Sequence, residues 1–170
     1  FVGDLPEFEL VPFTSPQLNY LTRGGIPYGA STEIVGEEHS GKTTLVLDLI
    51  KNYQEKEAER VVKERERLLK KAEDAKGKAK EKYLQEADEV SERWTVYLDI
   101  EQTLNPQWMA KLGVDESKVA IYKPSAVGIE EPLDDIIKML ETGEVGFVAI
   151  DSVGQMISTA EQDYDLGKGN

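Results

Sequence analysis

Apolar positions along this chain alternate between two rhythms. WTVYLDI, Trp94 to Ile100, is an almost wholly apolar run rich in β-branched and aromatic residues, the pattern of a strand buried on both faces. VAIY, Val119 to Tyr122, and GFVAIDS, Gly146 to Ser152, predict two further strands, and STEIV, Ser31 to Val35, is a shorter β-prone run. Between them the spacing turns helical. TLVLDLIKNY follows STEIV after a glycine-bounded turn, and PQWMAKL begins a short helix near Pro106 that Gly113 ends. PLDDIIKMLETG places Leu133, Ile136, Ile137 and Leu140 on one face, with Gly143 as its stop. The opening segment is irregular, with Pro6, Pro12, Pro16 and Pro27. Within it SPQLNYLT predicts one short helix capped by Ser15, with Leu18, Leu21 and Tyr20 inward, packed against the STEIV strand and ended by Gly24 and Gly25. Strands alternating with helices imply an α/β fold, a parallel sheet flanked by helices on both faces.

The pattern changes at Gln54. From there to Arg93 nearly every residue is a helix former, and Val61, Leu68, Ala72, Ala75, Ala79, Tyr83, Ala87 and Val90 recur by threes, fours and sevens. Gly77 lies near the middle. The reading is an antiparallel helical hairpin with its tip near Gly77 and a thin seam of Ala, Leu and Val. One continuous helix is the alternative, since a lone Gly costs only about 1 kcal/mol against Ala, but the chain must reverse to reach the strand at Trp94. The expected organisation is a core of residues 1–53 and 94–170 interrupted by a hairpin of residues 54–93. That hairpin is a solvated projection or a docking arm for a protein partner.

Charge adds a restriction. The formal net charge is -13, and Glu55 to Arg93 carries twelve basic and twelve acidic residues, so the excess acid lies wholly outside the hairpin. No basic face is visible, and contact with nucleic acid must come from a few local groups. The 170 residues fit one domain with a substantial core. No apolar run approaches the roughly 20 residues that span a bilayer, and no signal peptide is visible, so a cytoplasmic location is expected. The absence of cysteine removes disulfides and thiolate zinc sites. Phe1 in place of Met suggests a piece of a longer product.

The stretch GEEHSGKTT carries the chemistry. Gly36, Gly41, Lys42 and Thr43 fit the P-loop pattern G-x-x-x-x-G-K-[ST], with Glu37, Glu38, His39 and Ser40 filling the loop and Thr44 following in the helix. Such a loop turns successive backbone N–H groups toward a polyphosphate, and the helix start adds its positive dipole end. Lys42 can reach the β and γ phosphates, and the Thr43 hydroxyl can ligate Mg2+. Two acids stand at predicted strand ends. Asp151 closes FVAID, where a Walker B carboxylate supports the metal through water, or else it caps the segment from Ser152. Glu101 ends YLDIE and is the candidate for polarising the attacking water, with Asp99, on the same face two residues earlier, as its rival. Trp108 can lie against a purine ring or fill the core.

Taken together, RGGIPYGASTEIVGEEHSGKTTL, YLDIEQTLNPQWMAKLGV and GFVAIDSVGQM resemble, in that order, the ATPase core of the RecA-type recombinases of bacteria and phage. The likeness covers roughly residues 12–54 and 94–161. It implies a RecA-like P-loop NTPase fold, with ATP and Mg2+ as cofactors. By position, Glu101 matches the family's catalytic glutamate, Trp108 an aromatic that stacks on adenine, and Asn105 a base-contacting position that is usually Asp. Lys42, Thr43 and Asp151 take the P-loop and Walker B roles. The resemblance also implies single-stranded and double-stranded DNA as partners, ATP-loaded filaments with nucleotide between subunits, and strand exchange in a bacterial cell or phage-infected host.

Two departures stand out. The neutral hairpin replaces a short connection, and AEQDYDLGKGN, Ala160 to Asn170, a polar stretch expected to be mobile, matches only the beginning of the family's first DNA-binding loop. The parent chain is therefore expected to be longer, and these residues are not expected to complete the sheet alone, because in the family a later strand lies between the P-loop strand and the Walker B strand. The alternatives are another RecA-fold motor, a hexameric helicase or clock-type ATPase, and a nucleotide-gated scaffold whose hairpin recruits a partner.

Overall fold

A computed structural model describes residues 9–123 and 130–152. The polar tail and the start of the DNA-binding loop expected at 160–170 lie outside the described residues. The chain divides into two compact units, Phe1–Val90 with Leu112–Val114, and Ser91–Lys111 with Asp115–Asn170.

In the first unit β1 (Leu10–Val11) pairs antiparallel with β2 (Ile26–Pro27), and α1 (Pro16–Thr22) lies between them in sequence. The Ser15 hydroxyl accepts from Leu18 N–H and caps α1 as predicted. The inward face differs from the prediction: Tyr20 and Leu21 are 86% and 74% exposed. Asn19 takes the anchoring role, accepting from Phe13 N–H and donating to Phe13 O, both at 2.7 Å. A two-turn helix is held more firmly by that paired amide contact than by its own apolar spacing. Gly25, at φ +134°, passes so close to β1 that a Cβ would sit 2.0 Å from Val11 O. Gly25→Ala is therefore expected to destabilise this unit by about 2–3 kcal/mol in a denaturant melt.

No strand forms at Ser31–Val35, contrary to the sequence pattern. A strand is held by a hydrogen-bonded neighbour, and the described residues offer it none; Val35 is left 83% exposed. The helix that follows is longer than its composition suggested. α2 (Lys42–Asp74) runs unbroken for 33 residues through the change of pattern at Gln54, because no Gly or Pro interrupts it. Its first half buries Leu47, Leu49, Ile50 and Tyr53.

After the turn at Ala75–Gly77, α3 (Lys78–Glu89) packs back along α2, forming the expected hairpin. Leu68, Ala72 and Ala87 make its buried seam, while Ala79 is exposed. The Lys71 ammonium lies 5.8 Å from the centre of the Tyr83 ring, and Arg65 donates to Val90 O at the base.

The second unit is a three-stranded parallel sheet in the order β4–β3–β5, made by β3 (Trp94–Asp99), β4 (Val119–Tyr122) and β5 (Val145–Asp151). The crossovers contain α4 (Pro106–Leu112) and α5 (Glu130–Glu141). Val96, Leu98 and Ile136 form one core cluster with Val148 and Ile150 against it, so α5 covers one face of the sheet. By alternation the other face carries Thr95, Tyr97, Asp99, Ala149 and Asp151. Among the described residues no helix is long and apolar enough to cross a membrane.

Candidate nucleotide site

The loop residues lie in the first unit and the strand-tip acids in the second. Gly36 to Gly41 is exposed and tightly turned. Gly41 has φ 91° and ψ 17°, and His39 has φ 60°, so the residues on either side of Ser40 are left-handed. Alternating hands of this kind turn consecutive N–H groups toward one concavity. At Gly36 the constraint is space: a Cβ would sit 2.6 Å from the Ser40 hydroxyl oxygen. Ser40 N–H donates to Glu37 O at 3.3 Å, and Leu45 N–H to Gly41 O at 3.0 Å starts the helical ladder.

Lys42, the first residue of α2, folds back along the loop. Its ammonium donates to Gly36 O at 2.9 Å and to Glu37 O at 2.8 Å. The cation thus sits over the loop that leads into the first turn of α2. These features fit a polyphosphate: N–H donors, an ammonium and the positive end of a long helix occur together. Thr43 and Thr44 are half-buried in that first turn. Among the described residues no three acidic or imidazole groups form a metal cage. A magnesium ion held by one hydroxyl, nucleotide phosphates and water needs none.

In the second unit Asp99 and Asp151 are register partners at the carboxyl ends of β3 and β5. Ile100 N–H donates to Asp151 O at 2.9 Å, so Glu101 follows directly beyond the paired tips. There the Ser152 hydroxyl donates to Glu101 Oε1 at 2.5 Å. The rival acids differ in environment. Asp99 is 1% exposed and accepts from Thr103 N–H at 3.1 Å and Leu104 N–H at 3.3 Å, with Lys123 Nζ at 3.6 Å. It holds the turn that carries the next helix, whereas Glu101 is exposed.

Asn105 caps α4: Trp108 N–H lies 3.3 Å from its Oδ1 and 3.0 Å from its backbone O. Trp108 remains 43% exposed, and the helix buries Met109 instead. The indole is therefore partly exposed, and a planar ring can stack on an exposed aromatic face.

Sequence reasoning passed over Tyr97. Its phenol donates to Asp151 Oδ2 at 2.7 Å. Burial, then the hydrogen bond to Asp151 and that carboxylate's charge, hold the phenol far above the usual tyrosine range, so it remains a donor. Alternation gave the signal, since Tyr97 shares a face with Asp99 and Glu101 and is the one polar-tipped aromatic in the strand's interior.

Comparison with known proteins agrees with this architecture. A family model described as an AAA domain matches residues 4–165. "Protein RecA" of Bifidobacterium longum is 28% identical over 169 residues, which are 98% of this chain and 33% of that protein. "Protein RecA" of Aquifex pyrophilus is 28% identical over 95% of this chain and 36% of its own length. The "Mitochondrial DNA repair protein recA homolog" of Dictyostelium discoideum is 28% identical over 94% of this chain and 27% of its own length. The chain thus spans about a third of the length of these curated relatives. With the phosphate loop at the head of its longest helix and acids at the tips of a parallel sheet, the chain belongs to the AAA domain family and is a RecA-type ATPase core.

Proposed function

We propose that this core belongs to an ATP-dependent DNA recombinase that binds single-stranded DNA as a filament and promotes pairing and strand exchange with homologous duplex. The observation that carries the catalytic half of this reading is the division of labour at the tip of β3: Asp99 is committed to the turn, and Glu101 is exposed beside Asp151 and Ser152. The DNA half rests on the similarity to proteins named RecA along nearly the whole chain.

In this reading the Gly36–Thr44 loop, with Glu37, Glu38, His39 and Ser40 as its wall, binds the triphosphate through N–H groups, and Lys42 neutralises it. Thr43 and Asp151 hold Mg2+, which when bound supplies a positive charge that stabilises the phosphoryl oxygens in the transition state. Glu101 orients a water and accepts its proton at a carboxylate oxygen. Trp108 stacks on the adenine and Asn105 meets its edge. Residues 54–93 are a charged helical-hairpin insertion in the core, a solvated projection that also offers a surface for a protein partner. A cytoplasmic location in a bacterium or infected host completes the proposal.

ATP hydrolysis by the full-length protein, measured with and without single-stranded DNA and paired with electron microscopy, tests it. Stimulation by DNA together with helical filaments is expected. Closed rings would point to a helicase-type or clock-type motor, and binding without turnover to a nucleotide-gated scaffold. Lys42→Ala is expected to weaken ATP binding by about 10- to 100-fold, the loss of one charged hydrogen-bond donor to phosphate.

A further inference from the structure

We propose that Tyr97 is a positioning residue for the metal-supporting acid: its phenol, reaching from the middle of β3, fixes the orientation in which Asp151 is presented at the end of β5. The inference rests on the reading of Asp151 as the acid that supports Mg2+.

Three observations carry it. The hydrogen bond, at 2.7 Å, is of ordinary O–H···O length and joins two neighbouring strands between residues 54 apart in sequence. Tyr97 is fully buried and Asp151 is 9% exposed, so water competes little for the contact. The register explains how the phenol gets there. Tyr97 stands opposite Ala149, one same-face step before the Asp99–Asp151 pair. The small Ala149 leaves the ring room to lean along the sheet toward the diagonal neighbour, a distance within aromatic reach.

Asp99 and Asp151 are register partners on adjacent strands, where two carboxylates repel. Each is drawn to a different donor: Asp99 to the N–H groups of Thr103 and Leu104 and to Lys123, Asp151 to Tyr97. The terminal torsion of an aspartate is broad. A buried donor on Oδ2 narrows it and fixes the plane of the carboxylate. Hydrogen-bond partners that orient metal-holding groups act in this way; loss of the partner of a direct ligand commonly costs 10- to 100-fold in metal affinity, and the lower end of that range applies to an acid that acts through water.

The test uses the full-length protein, a fluorescent ATP analogue and a Mg2+ titration, with Tyr97→Phe and Asp151→Asn in parallel. Tyr97→Phe is expected to raise the Mg2+ concentration for half-maximal binding by about tenfold, leaving analogue binding without metal unchanged. Asp151→Asn is expected to raise it at least as far. If Asp151→Asn shifts the midpoint and Tyr97→Phe does not, the phenol only fills space and the proposal is wrong. If neither shifts it, the reading of Asp151 falls first and the proposal with it. Should Tyr97→Phe fail to fold, 3-fluorotyrosine placed at position 97 supplies a second readout by fluorine NMR. Its resonance is expected to move when Mg2+ is added to the nucleotide complex; a resonance indifferent to Mg2+ overturns the proposal.

Discussion

Glu101→Gln is expected to lower ATP turnover of the full-length protein by about 10²–10⁴-fold, the usual contribution of a positioned proton acceptor, while ATP and Mg2+ still bind. The amide retains the shape of the side chain and can still accept from the Ser152 hydroxyl that meets Glu101 Oε1 at 2.5 Å, so the strand tips should keep their arrangement. It cannot take a proton from water. Turnover and equilibrium nucleotide binding measured on the same preparation separate the two effects. Equal losses of both would make Glu101 a binding or structural group. Unchanged turnover would move the role to another acid.

Asp99→Ala has the largest expected effect on stability, a loss of about 3–4 kcal/mol in a denaturant melt, because the buried Leu104 N–H and the part-buried Thr103 N–H both lose a carboxylate acceptor, and a hydrogen bond to a charged group contributes about 1.5–3 kcal/mol. The Lys123 partner adds little, since its side chain is half exposed. For a protein of this size that loss lowers the melting midpoint by roughly 6–16 °C. The damage should spread along the chain: Thr103 and Leu104 lead directly to Asn105, the cap of the helix bearing Trp108. Weaker adenine stacking, read as quenching of Trp108 fluorescence by nucleotide, should therefore accompany the instability. A variant with native melting but no turnover would instead make Asp99 the acid that acts on water.

Most of the sheet unit was legible in the sequence. Each of its strands is an apolar run bounded by Gly, Pro or charge, and each helix carries its own stop. Gly113 and Gly143 adopt φ of 84° and 75°, as glycines that end helices do. The errors arose where an element depends on something other than its own residues. Ser31–Val35 has the propensity of a strand, but pairing decides strands. α1 has apolar spacing, yet a single Asn19 side chain determines which way it faces. At Gln54 composition changes sharply and the backbone does not, because charge pattern governs solvation while Gly and Pro govern continuity.

The candidate site divides along the same line. The phosphate loop and both strand-tip acids were marked by residue type and spacing. Which acid is committed to a turn was not, because Asp99 and Glu101 share a face and only the contacts of Asp99 distinguish them. Tyr97 escaped notice because its partner lies on another strand, and a single sequence does not state register.

The unbroken course of α2 has a mechanical corollary. Its first residue is the lysine of the phosphate loop and its last is at the turn of the hairpin, so the two are ends of one rod, about 50 Å long at 1.5 Å per residue. A rod with no joint converts a small rotation at one end into a large displacement at the other. A tilt of about 5° at the loop carries the far end through about 4 Å, so any rotation of the helix at Lys42 is magnified at the hairpin turn.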